Sequence, residues 1–287
     1  MEPDDEHSQS STLHTGHNPE PGHVLGNRYR VTALIAKGGH SLVYGATNLV
    51  TGKSVAIKWP SRGVTMASVL REGQLAARVR HPALLDVYDV EQHNGTFFLV
   101  MEHVPGMPLS ACLQHSSLSL GAFVRVFENV LGAVQALHRA ELVHCDLKPA
   151  NILVAVDDAG RLHRAKVVDF GSMRPMDRTE GGARSLAPRT LGSPHYMAPE
   201  QRLGAVTLDA RSDVYGLGIL LQRCMRMFCS PADELLHAAL LAIAARASAL
   251  EPAQRFQNVA ELSRAFEASG ILRVMSPWPS GDSSPQE

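Results

Sequence analysis

The chain has 287 residues, of which 45% are hydrophobic and 19% charged, and its formal net charge is −1. That length and apolar content suit a folded body able to bury a sizeable core. The near-neutral balance excludes a chain-wide field of the kind that draws proteins to nucleic acid or to an anionic membrane surface.

In chain order, residues 1–22 are polar and rich in Ser, His and Pro, which predicts a disordered tail. Strands are predicted over 30–34, 42–48 and 54–59, where apolar and polar residues alternate and Thr51 and Gly52 mark a turn. A helix is predicted over 66–79, with Val69, Leu70, Ala76 and Val79 near helical spacing and His81-Pro82 ending it. Two further strands follow over 84–88 and 96–101. Beyond Gly106 the pattern turns helical. Residues 121–139 carry Phe123, Val126, Phe127, Val130, Leu131, Val134 and Leu137, an apolar stripe of period 3.6. A strand over 165–168 and helices over 213–227, 234–249 and 259–268 complete the body, and 273–287 reads as a second tail.

This is an α+β arrangement of two lobes, a small antiparallel sheet lobe with one helix (about 23–104) and a larger, mainly helical lobe (about 105–272). A ligand cleft is expected between them. The most apolar stretch, 214–229, is broken by Gln222, Arg223 and Arg226, so it reads as a buried helix and no membrane span is expected. Fourteen histidines are scattered without ligand spacing, and the four cysteines (Cys112, Cys145, Cys224, Cys229) form no C-x-x-C pair. With no signal-peptide pattern at the start, this predicts a reduced, cytoplasmic setting.

Several short motifs carry chemistry. Ala36-Lys37-Gly38-Gly39-His40-Ser41-Leu42-Val43 lies between two predicted strands; such a loop lets backbone N–H groups approach phosphates, although an ordinary hairpin turn looks alike. In Val55-Ala56-Ile57-Lys58 a lysine ends a buried strand. A lone buried ammonium is costly, so Lys58 is either a solvated edge residue or paired, and Glu72 on the following helix is the candidate partner. His144-Cys145-Asp146-Leu147-Lys148-Pro149-Ala150-Asn151 follows the amphipathic helix, and Asp169-Phe170-Gly171 follows the next strand. A carboxylate, a lysine and an amide this close, with a second carboxylate downstream, can hold Mg²⁺ and a triphosphate, whereas the triplet alone also suits a strand-end turn.

In this order and spacing the motifs resemble the protein kinase signature set, and in style the bacterial eukaryotic-like Ser/Thr kinases. Ala198-Pro199-Glu200, Ser212-Asp213-Val214-Tyr215-Gly216 and Glu251-Pro252-Ala253-Gln254-Arg255-Phe256 extend the resemblance over 29–272. It implies transfer of the ATP γ-phosphate to Ser/Thr hydroxyls of a protein substrate, with Mg²⁺ (or Mn²⁺) and autophosphorylation. By resemblance Lys58 holds the α- and β-phosphates with Glu72 as its ion-pair partner. Asp146 receives or orients the acceptor proton, Lys148 balances charge on the γ-phosphoryl, and Asn151 and Asp169 hold the metal. Met101 is the implied gatekeeper, Glu102 to Val104 the hinge that meets adenine, and Val43 and Ala56 pack on its ring. Glu200 and Arg255 are the implied buried ion pair, and Asp213 braces the catalytic loop. Active kinase is the leading reading. A pseudokinase scaffold and a small-molecule phosphotransferase are the alternatives; the four core residues argue against the first, and Glu200, Asp213 and Arg255 against the second.

The sequence departs from the family in three places. Ala36 and Ser41 stand where glycines are usual, leaving Gly38 and the extra Gly39 to admit phosphate. Cys145 stands where most members have Arg, a non-RD arrangement that removes the main anchor of a loop phosphate. The loop is nevertheless rich in hydroxyls (Thr179, Ser185, Thr190, Ser193) and in Arg (Arg174, Arg178, Arg184, Arg189). Little separates the helices ending near Phe228 and starting near Ala232, so a helix usual there is missing. With no sensor segment visible, the signal is expected from a regulatory partner protein.

Overall fold

The computed structural model describes residues 18–115, 118–156, 162–176, 193–203, 208–228 and 234–271. Most of both tails, the loop residues Thr179, Ser185, Thr190, Arg178, Arg184 and Arg189, and the link 229–233 lie outside the described residues. The chain divides into two compact units, one of residues up to 105 together with 168–173, the other of 106–167 together with the rest.

The first unit is built on an antiparallel sheet. Its strands are β1 (Val24–Leu25), β2 (Tyr29–Lys37), β3 (Ser41–Asn48), β4 (Ser54–Pro60), β5 (Val87–His93) and β6 (Thr96–Glu102), in the order β1-β2-β3-β4-β6-β5. Helix α1 (Met66–Ala76) packs on β5 and β6. Alternation explains the strands: Leu42, Tyr44 and Ala46 of β3 turn inward to join Val31, Val55, Ile57, Trp59, Phe98 and Val100 in one core. Two expectations shift. The strand expected over 84–88 runs instead over Val87–His93, because Asn94 (φ 47°) and Gly95 (φ 79°) form a two-residue hairpin turn that pairs His93 with Thr96 and sets the register. Leu84 and Leu85 are buried in the connection before it. Helix α1 stops at Ala76 rather than 79, since Arg78 and Val79 N–H groups donate three residues back, to Leu75 and Ala76, in a tightened last turn.

The second unit holds β7 (Met107–Pro108), α2 (Leu109–Gln114), α3 (Leu120–Arg139), β8 (Leu142–Val143), β9 (Ile152–Val156), β10 (Leu162–Val167), β11 (Arg174–Pro175), α4 (Pro199–Arg202), α5 (Ala210–Met225), α6 (Glu234–Ala247) and α7 (Val259–Ala268). Strands pair as β10-β9-β7 and as β11-β8. Ser119 caps α3 by accepting from the Ala122 N–H at 3.1 Å. The predicted stripe of α3 is buried, facing α5, α7, β8 and β10. By length and composition α3 is apolar enough to cross a bilayer, but its buried stripe is that of a core helix.

Three boundaries differ from expectation. Helix α5 begins at Ala210, not 213, because Asp209 caps it through the Arg211 N–H at 2.9 Å, and it ends at Met225. Helix α6 ends at Ala247, where the Ser248 hydroxyl turns back onto Ala244 O at 2.8 Å. Strand β10 starts earlier than 165, in register with β9. Helices α5 and α6 meet at backbone distance: a Cβ on Gly218 would lie 2.7 Å from Ser248 N and 2.8 Å from Ala247 Cβ. Only glycine permits that approach.

Candidate functional site

In the first unit, β4 delivers Lys58 to the same region as Glu72 of α1. Lys58 Nζ donates to Glu72 Oε1 at 2.6 Å and to Asp169 Oδ1 at 2.7 Å. The alternative of a solvated edge lysine is thereby excluded, as the Lys58 side chain is 14% exposed. Burial alone would lower the Lys58 pKa, but the Glu72 and Asp169 charges outweigh it and hold the ammonium above its ordinary value. Asp169 occupies the left-handed region at φ 68°, an uncommon conformation for a residue with a Cβ. Register places Val43 opposite Lys58, Ala56 opposite Met101, and Val55 opposite Glu102. Ala56, Met101 and Val104 are buried and Glu102 half-buried. In the glycine loop Ala36 pairs with Val43, and the Gly38 N–H donates to Ser41 O at 2.8 Å. Ala36, Gly38 and Gly39 are exposed, Ser41 is half-buried, and the space above Gly39 is open. An exposed backbone with that space fits a polyphosphate.

In the second unit the loop between β8 and β9 gathers polar groups around Asp146. Its Oδ2 accepts from Lys148 Nζ at 2.6 Å and Asn151 Nδ2 at 2.9 Å, while Oδ1 accepts from the Ser193 N–H at 3.0 Å. Asn151 Nδ2 also bonds Asp146 O at 2.9 Å, closing the loop on itself. Asp213, at the base, accepts from the N–H groups of His144 at 2.8 Å and Cys145 at 2.9 Å, and bonds His138 Nε2 at 2.9 Å. Burial by itself would raise the Asp213 pKa; these hydrogen bonds and the nearby imidazoles overcome it and keep the carboxyl below its usual range. Cys145 sits at φ 66° with its thiol buried among Val143, Leu208 and Met176. Burial first, then the charge of Asp213, raises its pKa, so the thiol is neutral.

Arg255 is fully buried and reaches both Glu200 oxygens, at 2.8 and 2.9 Å. Ser212 Oγ donates to the same carboxylate at 2.9 Å. Sequence reasoning gave no role to three residues of this framework, His138, Ser212 and Gln201, although Ser212 lies in a quoted motif. Gln201 Nε2 bonds Cys145 O at 3.0 Å, and its Oε1 accepts from Ala198 N at 3.0 Å. The signal for Gln201 was present, since Gln three positions after a helix cap is the reciprocal capping residue. His138 offered no more than a polar residue in the last turn of an apolar helix.

A family model, the protein kinase domain, matches residues 29–263. The chain belongs to the protein kinase domain family. Among curated kinases it is 37% identical to the serine/threonine-protein kinase pkn3 of Myxococcus xanthus, over 71% of this chain and 38% of the relative. It is 31% identical to PrkC of Bacillus subtilis over 70% and 30%, and 35% identical to PknA of Mycobacterium tuberculosis over 71% and 48%. The matched region thus spans 30% to 48% of the length of these relatives. The crystal structure of the M. tuberculosis PknI kinase domain superposes with a TM-score of 0.66 at 23% identity, covering 88% of this chain and all of that one. That likeness bears out the expected two-part kinase fold, and the relatives bear out the bacterial Ser/Thr resemblance.

Proposed function

We propose that this kinase domain is an active, cytoplasmic Ser/Thr protein kinase that uses ATP with Mg²⁺ or Mn²⁺ and phosphorylates itself as well as a protein substrate. The observation that carries this is the set of three donors converging on the Asp146 carboxylate. It leaves that group oriented beside Lys148, as a residue receiving a hydroxyl proton requires. Lys58, steadied by Glu72, binds the α- and β-phosphates. Asn151 and Asp169, an amide and a carboxylate, suit a hard cation, which when bound neutralises phosphate charge. Lys148 balances the charge of the γ-phosphoryl, and Val43, Ala56, Met101, Glu102 and Val104 form the adenine wall. Phosphoryl transfer needs positioning and charge neutralisation more than covalent help, and these residues supply both. A regulatory partner protein supplies the signal.

The test is incubation of the full chain with ATP and either cation, followed by mass-spectrometric mapping of phosphate. Phosphoserine or phosphothreonine is the expected product, and no turnover with either ion would leave a nucleotide-binding scaffold instead. Lys58→Met is expected to slow transfer by roughly 10²–10³, the range for removing one electrostatic contact to the transition state. The fold should persist with at most a small loss of stability; burial already pushes the Glu72 pKa up, and losing the Lys58 ammonium removes a charge that opposes that rise. Full activity in this variant would move the phosphate contact to another lysine, Lys53 being the nearest in sequence.

Cys145 bears on regulation. A buried neutral thiol gives a loop phosphate nothing to grip, so the initial rate on an added substrate should change less than about tenfold between phosphatase-treated and autophosphorylated enzyme. Among the described residues Arg174 is the cation beside Cys145, held on β11 opposite Val143 and not on a free stretch of loop. A larger gain that disappears in Arg174→Ala would show that Arg174 has taken over the anchoring role. Restoring Arg at 145 is a poorer test, since its side chain would enter the Val143–Leu208–Met176 cluster.

A further inference from the structure

We infer that Arg223 is a specificity-determining residue that selects acceptor peptides carrying an acidic side chain close to the phosphorylated Ser or Thr. This rests on the kinase reading above and goes beyond it to the substrate class. The Ser193 N–H is bonded to the Asp146 carboxylate, so the segment beginning at Ser193 lies beside the acceptor position. Tyr196 follows within one turn, its N–H donating to Ser193 O at 2.9 Å. Arg223, in the last turn of α5, lays its guanidinium 4.8 Å from the centre of the Tyr196 ring and donates from Nη1 to Tyr196 Oη at 3.3 Å.

A cation at a helix C-terminus has an ordinary explanation in the helix dipole. The dipole would leave an exposed guanidinium free in water. Here it is stacked and oriented by an aromatic ring, which lowers the entropy lost when an anion docks. It forms no ion pair among the described residues. The carboxylates of neighbouring segments are engaged elsewhere: Glu200 with Arg255, Asp209 with Arg211, and Asp213 with the catalytic-loop amides. His195, Arg202 and Arg226 on the same segments are also exposed, so the local surface is basic although the chain as a whole is nearly neutral. The path from Asp146 through Ser193 and Tyr196 to the guanidinium is at most about 20 Å, which roughly six residues of extended peptide span. The acidic residue therefore lies within about six positions of the acceptor. The planar fork of the guanidinium matches a carboxylate in a two-pronged hydrogen bond.

The experiment uses the full chain and a Ser-centred alanine-rich peptide in which a single Asp, Ala or Lys is moved through six positions on either side. Both kcat/KM and peptide affinity by fluorescence anisotropy are measured. At one position Asp should exceed Ala by about five- to tenfold at low salt, expressed mainly in KM, and high salt should shrink the ratio. Arg223→Ala should bring the ratio within twofold, and Arg223→Glu should make Lys the preferred residue at that position. Turnover with no Asp preference, or a preference that survives Arg223→Ala, overturns the assignment while the kinase reading stands. Asp-selective binding that depends on Arg223 without any turnover does the opposite, keeping the assignment and removing the kinase reading. Tyr196→Phe, which keeps the ring and loses one hydrogen bond, should retain most of the preference. Equal loss in Tyr196→Phe and Arg223→Ala would assign the effect to the loop and not to the cation.

Discussion

Asp146→Asn is expected to slow phosphate transfer by roughly 10²–10⁴, the usual contribution of a positioned general base. The substitution is isosteric, but it is not silent within the loop. Three donors, Lys148 Nζ, Asn151 Nδ2 and the Ser193 N–H, now share two carboxylate oxygens. An amide offers one oxygen and turns an NH₂ toward a donor on the other side. At least one donor, buried or part-buried, is left without its partner, at a cost of up to about 1–3 kcal/mol. The variant should thus melt a little earlier and bind ATP nearly as the parent does, because the α- and β-phosphate contact assigned to Lys58 and the adenine wall lie in the other unit. The decisive comparison is single-turnover phosphorylation at saturating ATP. A variant as fast as the parent would falsify the role given to Asp146.

The second large effect concerns stability. Arg255→Ala should destabilise the helical unit by about 3–5 kcal/mol, the range for breaking a buried pair and stranding the other charge. Every N–H of this guanidinium is used: Nε on Ala249 O, Nη1 on Glu200 and Arg211 O, Nη2 on Glu200 and Leu250 O. Five donors fully engaged at zero side-chain exposure make Arg255 the tie between α4, α5 and the segment after α6. In thermal terms the loss corresponds to roughly 10 °C for a domain of this size, and a fall of a degree or less would remove this role. Glu200→Gln retains the shape and loses the charge, so it should cost less. It also carries a pH signature. Burial raises the Glu200 pKa, yet Arg255 and Ser212 pull it down further, leaving it net below its ordinary value. A depressed carboxyl contributes stability that is complete above its unfolded value of about 4.3 and is lost as pH falls through the lower folded value. The parent's melting temperature should therefore drop more steeply below about pH 4 than that of Glu200→Gln. Asp213 and Asp209 are depressed as well, so the variant's slope should shrink without vanishing.

The Lys58–Glu72 pair was legible because an ammonium does not belong in a core without a partner, whereas the bonds of Lys58 to Asp169 and of Asn151 to Asp146 were not foreseen. A lysine after three apolar strand residues demands a carboxylate, and the structure provides two. Long elements with a clear period, α3 and α7 above all, were equally legible. What escaped were elements too short to have a period. β8 and β11 have two residues each, and they are recognisable only through the pairing of Val143 with Arg174. The left-handed backbone at Cys145 and Asp169 left no trace in residue choice, since neither is glycine. Asp tolerates that region better than most residues with a Cβ, but Asp alone does not announce it. Placing Arg174 on a strand beside Cys145 likewise required three dimensions, because the sequence alone put it in a run of loop arginines.

The contact of Gly218 with Ser248 gives position 218 an influence out of proportion to its size. A methyl group there would press on residues 247 and 248, and the next two residues, Ala249 and Leu250, supply the carbonyls that receive Arg255. Arg255 in turn holds Glu200, one residue from the Gln201 that grips the carbonyl of Cys145 beside the Asp146 carboxylate. A mutational screen that scored only phosphorylation would therefore find hits at a buried helix–helix crossing, and they would look like active-site lesions although no reacting atom lies near them.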